Sequence, residues 1–114
     1  MGFGFKKSQR LLTSGLFENA YSNGICLHRG PIRIHVVANG LTHDRLGLSI
    51  PRHAGNAVRR NRFKRMLREA FRLMPKSDRT GYDLVVTVRA HKACRPEEYQ
   101  TLFDRAIQKA LRNQ

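Results

Sequence analysis

Between Asn56 and Pro75, the apolar residues Phe63, Met66, Leu67, Ala70, Phe71 and Met74 fall at offsets 0, 3, 4, 7, 8 and 11. That spacing draws a single stripe along one side of an α-helix. No other feature restricts the fold as much, because a helix with one apolar stripe needs a second layer of structure to cover it. Asn56 or Gly55 opens this helix and Pro75 stops it. It is expected to run to about Met74 and to be the longest in the chain.

The flanking segments supply the second layer. Ser14 is expected to cap a short helix bearing Leu16, Phe17, Ala20 and Tyr21, which ends at Asn23-Gly24 with Gly24 in the left-handed position. Ile25 to Val37 reads as extended chain bent at Gly30-Pro31. In its second half Ile32, Ile34 and Val36 alternate with Arg33, His35 and Val37, the period of a half-buried strand. Asn39-Gly40 marks a turn. Arg45 to Ile50 is the next strand, with Leu46, Leu48 and Ile50 on one face and Pro51 closing it; Tyr82 to Arg89 is another, rich in valine. Pro96 starts a last helix, with Glu97 and Glu98 in its first turn and a stripe of Tyr99, Leu102, Phe103, Ala106, Ile107, Ala110 and Leu111. The expected order is α-β-β-β-α-β-α. This is an α+β fold, a single domain over 1–114 with a four-stranded mixed sheet packed with helices. The first ten residues read as a flexible basic arm. The strand–helix–strand unit from Arg45 to Arg89 would ordinarily be a right-handed crossover.

Charge is the second constraint. Lys and Arg number 22 against 8 Asp and Glu, a formal net charge of +14. A domain so charged repels itself unless an anionic partner absorbs the charge. On the long helix Arg59, Arg60, Arg62, Lys64, Arg65, Arg68 and Arg72 stand against one acid, Glu69. Arg60, Lys64, Arg68 and Arg72 follow an i, i+4 ladder, and like charges at that spacing cost an isolated helix roughly 0.2–0.5 kcal/mol per pair. Arginine outnumbers lysine six to one there, and its planar fork of donors suits phosphate and stacks on bases. The helix therefore reads as a polyanion-binding face rather than an ordinary solvated one. Membrane binding is the weaker alternative, since an interfacial helix needs its apolar side free for lipid. No apolar run approaches the ~18 residues of a membrane span. Met1–Phe5 is too short for a secretion signal, and Lys6, Lys7 and Arg10 follow it in the wrong order. A cytoplasmic protein with Cys26 and Cys94 as reduced thiols is the expectation.

The choice of nucleic acid and the question of catalysis follow from what else is present. No helix-turn-helix, zinc-finger or zipper pattern points to duplex DNA. Phe17 and Tyr21 share a helix face and could form a stacking platform beside a strand bearing Arg33 and His35, or could both be core. The acids Glu18, Asp44, Glu69, Asp78, Asp83, Glu97, Glu98 and Asp104 are scattered, with no paired-metal spacing. His43-Asp44 reads as a polar loop. Cys26-Leu27-His28 with His91 and Cys94 matches no common zinc module.

Leu46-Gly47-Leu48-Ser49-Ile50-Pro51, then Gly55-Asn56-Ala57-Val58-Arg59-Arg60-Asn61-Arg62-Phe63-Lys64-Arg65-Met66-Leu67-Arg68-Glu69, resembles the signature stretch of the bacterial ribonuclease P protein component. Arg60-Asn61-Arg62 is its centre, and the order of the other elements agrees along the whole chain. The resemblance implies a protein without catalytic residues, partner to a catalytic RNA that removes the 5′ leader of precursor tRNA. It implies Mg²⁺ for the holoenzyme, held mainly by RNA, with none tightly bound to the protein. It places Arg52, Asn56, Arg59, Arg60, Asn61, Arg62, Lys64, Arg65 and Arg68 against the catalytic RNA. Phe17, Tyr21, Arg33, His35, Ser49 and Arg89 would line a cleft for the single-stranded leader. His35 stands where many relatives carry an aromatic residue. The resemblance also implies a left-handed crossover, a monomeric protein with one copy per RNA, and no membrane partner. A ribosomal or translation-associated RNA-binding protein is the alternative, and a stand-alone ribonuclease a third.

Overall fold

The computed structural model describes residues 10, 13–75, 80–92 and 94–112. Helix α1 (Ser14–Asn23) leads into a hairpin of β1 (Ile25–Arg29) and β2 (Ile32–Ala38). Then come β3 (Arg45–Ser49), a single 3-10 turn at Arg52–Ala54, α2 (Ala57–Arg72), β4 (Tyr82–Val88) and α3 (Pro96–Arg112). The α-β-β-β-α-β-α order and the four-stranded mixed sheet agree with the sequence reading. The Cα radius of gyration of 13.2 Å is that of one domain of this length.

The sheet order is β1-β2-β4-β3. β1, β2 and β4 pair antiparallel, while β3 pairs parallel with β4, so α2 is the crossover between two adjacent strands. Strand alternation divides the side chains cleanly between two faces. Leu27, Ile32, Ile34, Val36, Leu46, Leu84, Val86 and Val88 face α2 and α3, whose Phe63, Leu67, Ala70, Phe71, Tyr99, Phe103, Ala106 and Ile107 complete one buried core. On the other face α1 lays Ala20 on Val85, with Leu16, Phe17 and Val37 around them as a smaller cluster.

Several local expectations change. Thr13, not Ser14, caps α1: its backbone is extended and its hydroxyl accepts the Leu16 N–H at 3.3 Å. Gly24 has φ −84°, so it is not a left-handed terminus. It is glycine because a Cβ there would sit 2.8 Å from the Val36 carbonyl oxygen and closer still to that of Ala20. At Gly30-Pro31 the chain does not merely bend. It reverses in a two-residue loop, with Gly30 at φ 55° supplying the positive dihedral that a tight hairpin demands and proline cannot. Helix α2 spans 16 residues and α3 17, so α3 is the longer. Leu111, placed on the α3 stripe, is 37% exposed. Of the expected basic arm, residues 1–9 lie outside the described residues; Arg10 makes a parallel bridge to Leu46 at the β3 edge.

Candidate nucleic-acid interface

Helix α2 begins where β3 runs out. Pro51 and the 3-10 turn redirect the chain, Gly55 adopts φ 149°, and Asn56 caps the helix by accepting the Arg59 N–H at 2.9 Å. A Cβ on Gly55 would sit 3.0 Å from the Arg59 Cβ, so glycine lets that arginine fold back over the turn. With Phe63, Leu67, Ala70 and Phe71 turned inward, the cations are left on the outer side. Arg52, Arg59, Asn61, Arg62, Arg65 and Arg68 are exposed, and Arg60 and Lys64 are half-buried. The helix's one acid is taken: Glu69 pairs with Arg72, whose Nε donates to it at 3.0 Å, and that bond holds the carboxyl below its usual range. Arg60 Nε is buried with no partner among the described residues. Val58, Asn61, Lys64, Arg65, Arg68, Glu69 and Arg72 line a groove of about 560 Å³ along this face.

The opposite face of the sheet is built differently. The strand register places Ser49 beside Thr87, Thr87 beside Arg33 and Arg33 beside His28. These four form a polar row across the whole sheet, roughly 14 Å long at three strand spacings of about 4.8 Å. Arg33 and His28 are exposed and Ser49 and Thr87 half-buried. Arg89, also exposed, continues the same face of β4 one step beyond. The next row, Gly47, Val85, His35 and Cys26, lies at the foot of α1. There the Tyr21 ring meets His35 edge-on, with centroids 4.9 Å apart. Tyr21 is 42% exposed, whereas Phe17 is half-buried against the small cluster. His35 Nδ1 is buried without a partner among the described residues. Burial, with the Arg33 charge beside it, holds the imidazole below its usual pKa, so it is uncharged at neutral pH.

Of the residues singled out in the sequence, the basic set is thus gathered on α2 and the turn before it. The cleft set is gathered under and beside α1, and the sheet lies between. The two sets approach each other at the end of β3, where Ser49 leads through Pro51 to Arg52, and after β4, where the Arg89 carbonyl and the Arg59 guanidinium both bond His91.

Comparison with known proteins gives this arrangement a family. The sequence pattern of the family described as Ribonuclease P matches residues 5–112. The chain belongs to the ribonuclease P protein family. A relative from Caldanaerobacter subterraneus subsp. tengcongensis, named ribonuclease P protein component, is 36% identical over 107 residues, covering 94% of this chain and 90% of the relative. The solved RNase P protein of Staphylococcus aureus superposes with a TM-score of 0.74 at 28% identity, over 91% of this chain and 96% of that one. That of Thermotoga maritima superposes at 0.60 and 28% identity, over 91% and 92%. Membership implies a role in 5′ processing of tRNA.

In this member of the ribonuclease P family the loop after β4 holds His91 and Cys94, which the sequence offered only as zinc ligands, and Lys92, which it gave no role. His91 Nδ1–H donates to the Arg89 carbonyl at 2.7 Å, and Nε2 accepts from the Tyr99 hydroxyl at 2.8 Å. The Tyr99 oxygen in turn accepts the Cys94 N–H at 3.2 Å, and burial pushes its phenol up to about 12. The His91 ring stacks on Phe63, and its carbonyl accepts from Arg59 at 3.0 Å. The loop is thereby pinned to α2 and α3. It brings Lys92 beside Arg59, Arg62 and the 77%-exposed Val58 around a pocket of about 370 Å³. No periodicity marks Lys92, which is why the sequence did not reveal it. Thr87 was missed for another reason: only the pairing of β4 with β2 and β3 puts it in the row.

Asp83, Asp44 and Glu98 do structural work. Asp83 is 1% exposed, receives two bonds of 2.8 Å from Arg45 and a third from Asn39; Asp44 accepts the Tyr82 N–H; Glu98 accepts the Arg95 N–H. No three His, Cys, Asp or Glu among the described residues are grouped to hold a metal ion. Cys26 and Cys94 are free thiols. No helix of the described residues is long and apolar enough to cross a membrane.

Proposed function

We propose that this protein binds the catalytic RNA of ribonuclease P through α2 and holds the single-stranded 5′ leader of precursor tRNA in the cleft beside α1. The observation that carries the reading is the separation of two polyanion-ready surfaces on one small domain. One is a cationic helix face, held rigid by its buried stripe, whose lone acid, Glu69, is paired with Arg72. The other is an open polar row flanked by an exposed tyrosine. Arg60, Asn61, Arg62, Lys64, Arg65 and Arg68, with Arg52, Asn56 and Arg59 at the helix start, meet the catalytic RNA. Asn56 spends its side-chain oxygen on the cap and keeps only its amide donors for RNA. Tyr21 and the exposed part of Phe17 stack leader bases, while Arg33, Ser49 and Arg89 receive phosphates and sugars. His35 orients Tyr21 and offers an uncharged ring beside it.

The chemistry of cleavage belongs, in this reading, to the RNA and its Mg²⁺. No three His, Cys, Asp or Glu among the described residues come together as a donor set for a divalent ion. The protein supplies substrate affinity and neutralises phosphate, which lowers the salt and Mg²⁺ that the RNA needs.

Mixing the protein with a bacterial ribonuclease P RNA and precursor tRNA at low Mg²⁺ tests the subunit role. Cleavage is expected only with both components, and cleavage by the protein alone would refute it. For the cleft, Phe17→Ala and Tyr21→Ala are expected to weaken leader-bearing substrate about tenfold, since stacking on an aromatic side chain is worth ~1–3 kcal/mol per base. Mature tRNA should be unaffected. Equal losses for substrates with and without a leader would remove the cleft assignment.

A further inference from the structure

The polar row does not stop at the edge of the sheet. Its last member, His28, stands on edge strand β1, which together with the C-terminal half of α3 lines a groove of about 570 Å³. Five of the eight lining residues are basic and none is acidic: His28 and Arg29 on the strand, Arg105, Lys109 and Arg112 on the helix. The three helix cations lie at offsets 0, 4 and 7, one side of α3 turned toward β1. Lys109 donates to the Cys26 carbonyl at 2.9 Å, fixing the helix against the strand edge while its ammonium keeps two further donors.

Cations at a helix C-terminus answer the helix dipole, and that accounts for Lys109 and Arg112 in the last turn. It does not account for Arg105, a turn before Lys109. Nor does it account for Arg29, which adds a like charge from another element with no carboxylate lining the groove. Opposed cations of this kind are costly without an anion between them.

We propose that this groove is a second phosphate-binding site for single-stranded RNA, taking the leader backbone as it leaves the sheet over His28. The proposal rests on the reading of the cleft given above. Continuity supports it. His28 and Arg33 are register partners, so a strand lying along the row passes from one to the other and then meets Arg29, Arg105 and Arg112. No Phe, Tyr or Trp lines the groove, so it holds phosphates and ignores base identity. Arginine forks suit that task.

The test uses the holoenzyme reconstituted with a bacterial ribonuclease P RNA. Affinity is measured for leaderless tRNA, a precursor with a short leader confined to the cleft, and one with a leader several nucleotides longer. Arg105→Ala/Arg112→Ala is compared with wild type, leaving Lys109 to hold the helix. The variant should lose affinity for the long leader alone. Two lost phosphate contacts flatten the log–log salt slope by ~1.4, so raising salt from about 50 to about 200 mM should cost wild type about sevenfold more long-leader affinity than the variant. Arg105→Lys/Arg112→Lys should restore most of the difference. Unchanged long-leader affinity in the alanine variant overturns the proposal, as does an equal loss for all three substrates, which would put the groove against the catalytic RNA or the tRNA body. If wild type binds leaderless and short-leader RNA equally, the cleft reading itself fails.

Discussion

His35 shows how much a single side chain can carry. It sits between Tyr21 and Arg33, with Nδ1 buried and unpartnered among the described residues, and burial with the Arg33 charge keeps its pKa below the ordinary 6.5. In the unfolded chain the same imidazole takes up a proton near pH 6.5. Below that pH the unfolded state binds more protons than the folded one, so stability falls as pH drops and levels off once the folded ring also protonates. Urea midpoints at about pH 7.5 and about pH 5.5 should therefore lie further apart for wild type than for His35→Gln. Identical spacing would show that His35 contributes nothing to the acid response. The sequence displayed His35 as one polar position in an alternating strand. Tyr21 and Arg33 were already grouped with it; the edge-on contact with Tyr21 and the burial of Nδ1 were not visible, because they depend on how α1 lies on the sheet. Asp83 makes the same point. It looked like one of several scattered acids, and it is the buried anchor that ties β4 to Arg45 of β3.

At the scale of elements, the helices were readable because periodicity is local. The stripe from Phe63 to Phe71 and the stripe from Tyr99 to Ala110 are both buried where the spacing put them. Caps shifted by a residue, as at Thr13, because two neighbouring hydroxyls offer the same chemistry and backbone geometry chooses between them. The polar row was not readable. It depends on which strands are neighbours, and β4 lies between β2 and β3 although it follows both in sequence. Helix α2 separates its two jobs by side, which makes them separable by mutation. Arg60→Gln and Arg62→Gln should each reduce the slope of log affinity for the catalytic RNA against log salt by roughly 0.7–0.9. For exposed Arg62 the unfolding free energy should move by less than about 0.5 kcal/mol, as is usual for surface substitutions. A larger stability loss with an unchanged slope would mean that these arginines serve the fold instead.

For the molecule as a whole, a net charge of +14 on one domain is a standing internal repulsion. The free protein should gain thermal stability as salt rises from about 10 to about 300 mM, because the screening length shrinks over that range from about 30 Å to less than the domain's width. Bound to RNA, the same titration should weaken the complex and lower the melting temperature toward that of free protein. A free-protein melting curve indifferent to salt would show that local ion pairs already absorb the repulsion. One further consequence follows from how the sheet's margins are finished. An open sheet with two edge strands invites another strand to add on, the first step of β-aggregation. Here the β1 edge has its Cys26 carbonyl taken by Lys109, and the β3 edge is bridged by Arg10. A neighbouring chain needs free amide groups in line to extend a sheet, whereas a phosphate backbone needs only cations. Each margin thus carries a contact that a second strand would have to displace, while the cations beside β1 ask nothing of its backbone.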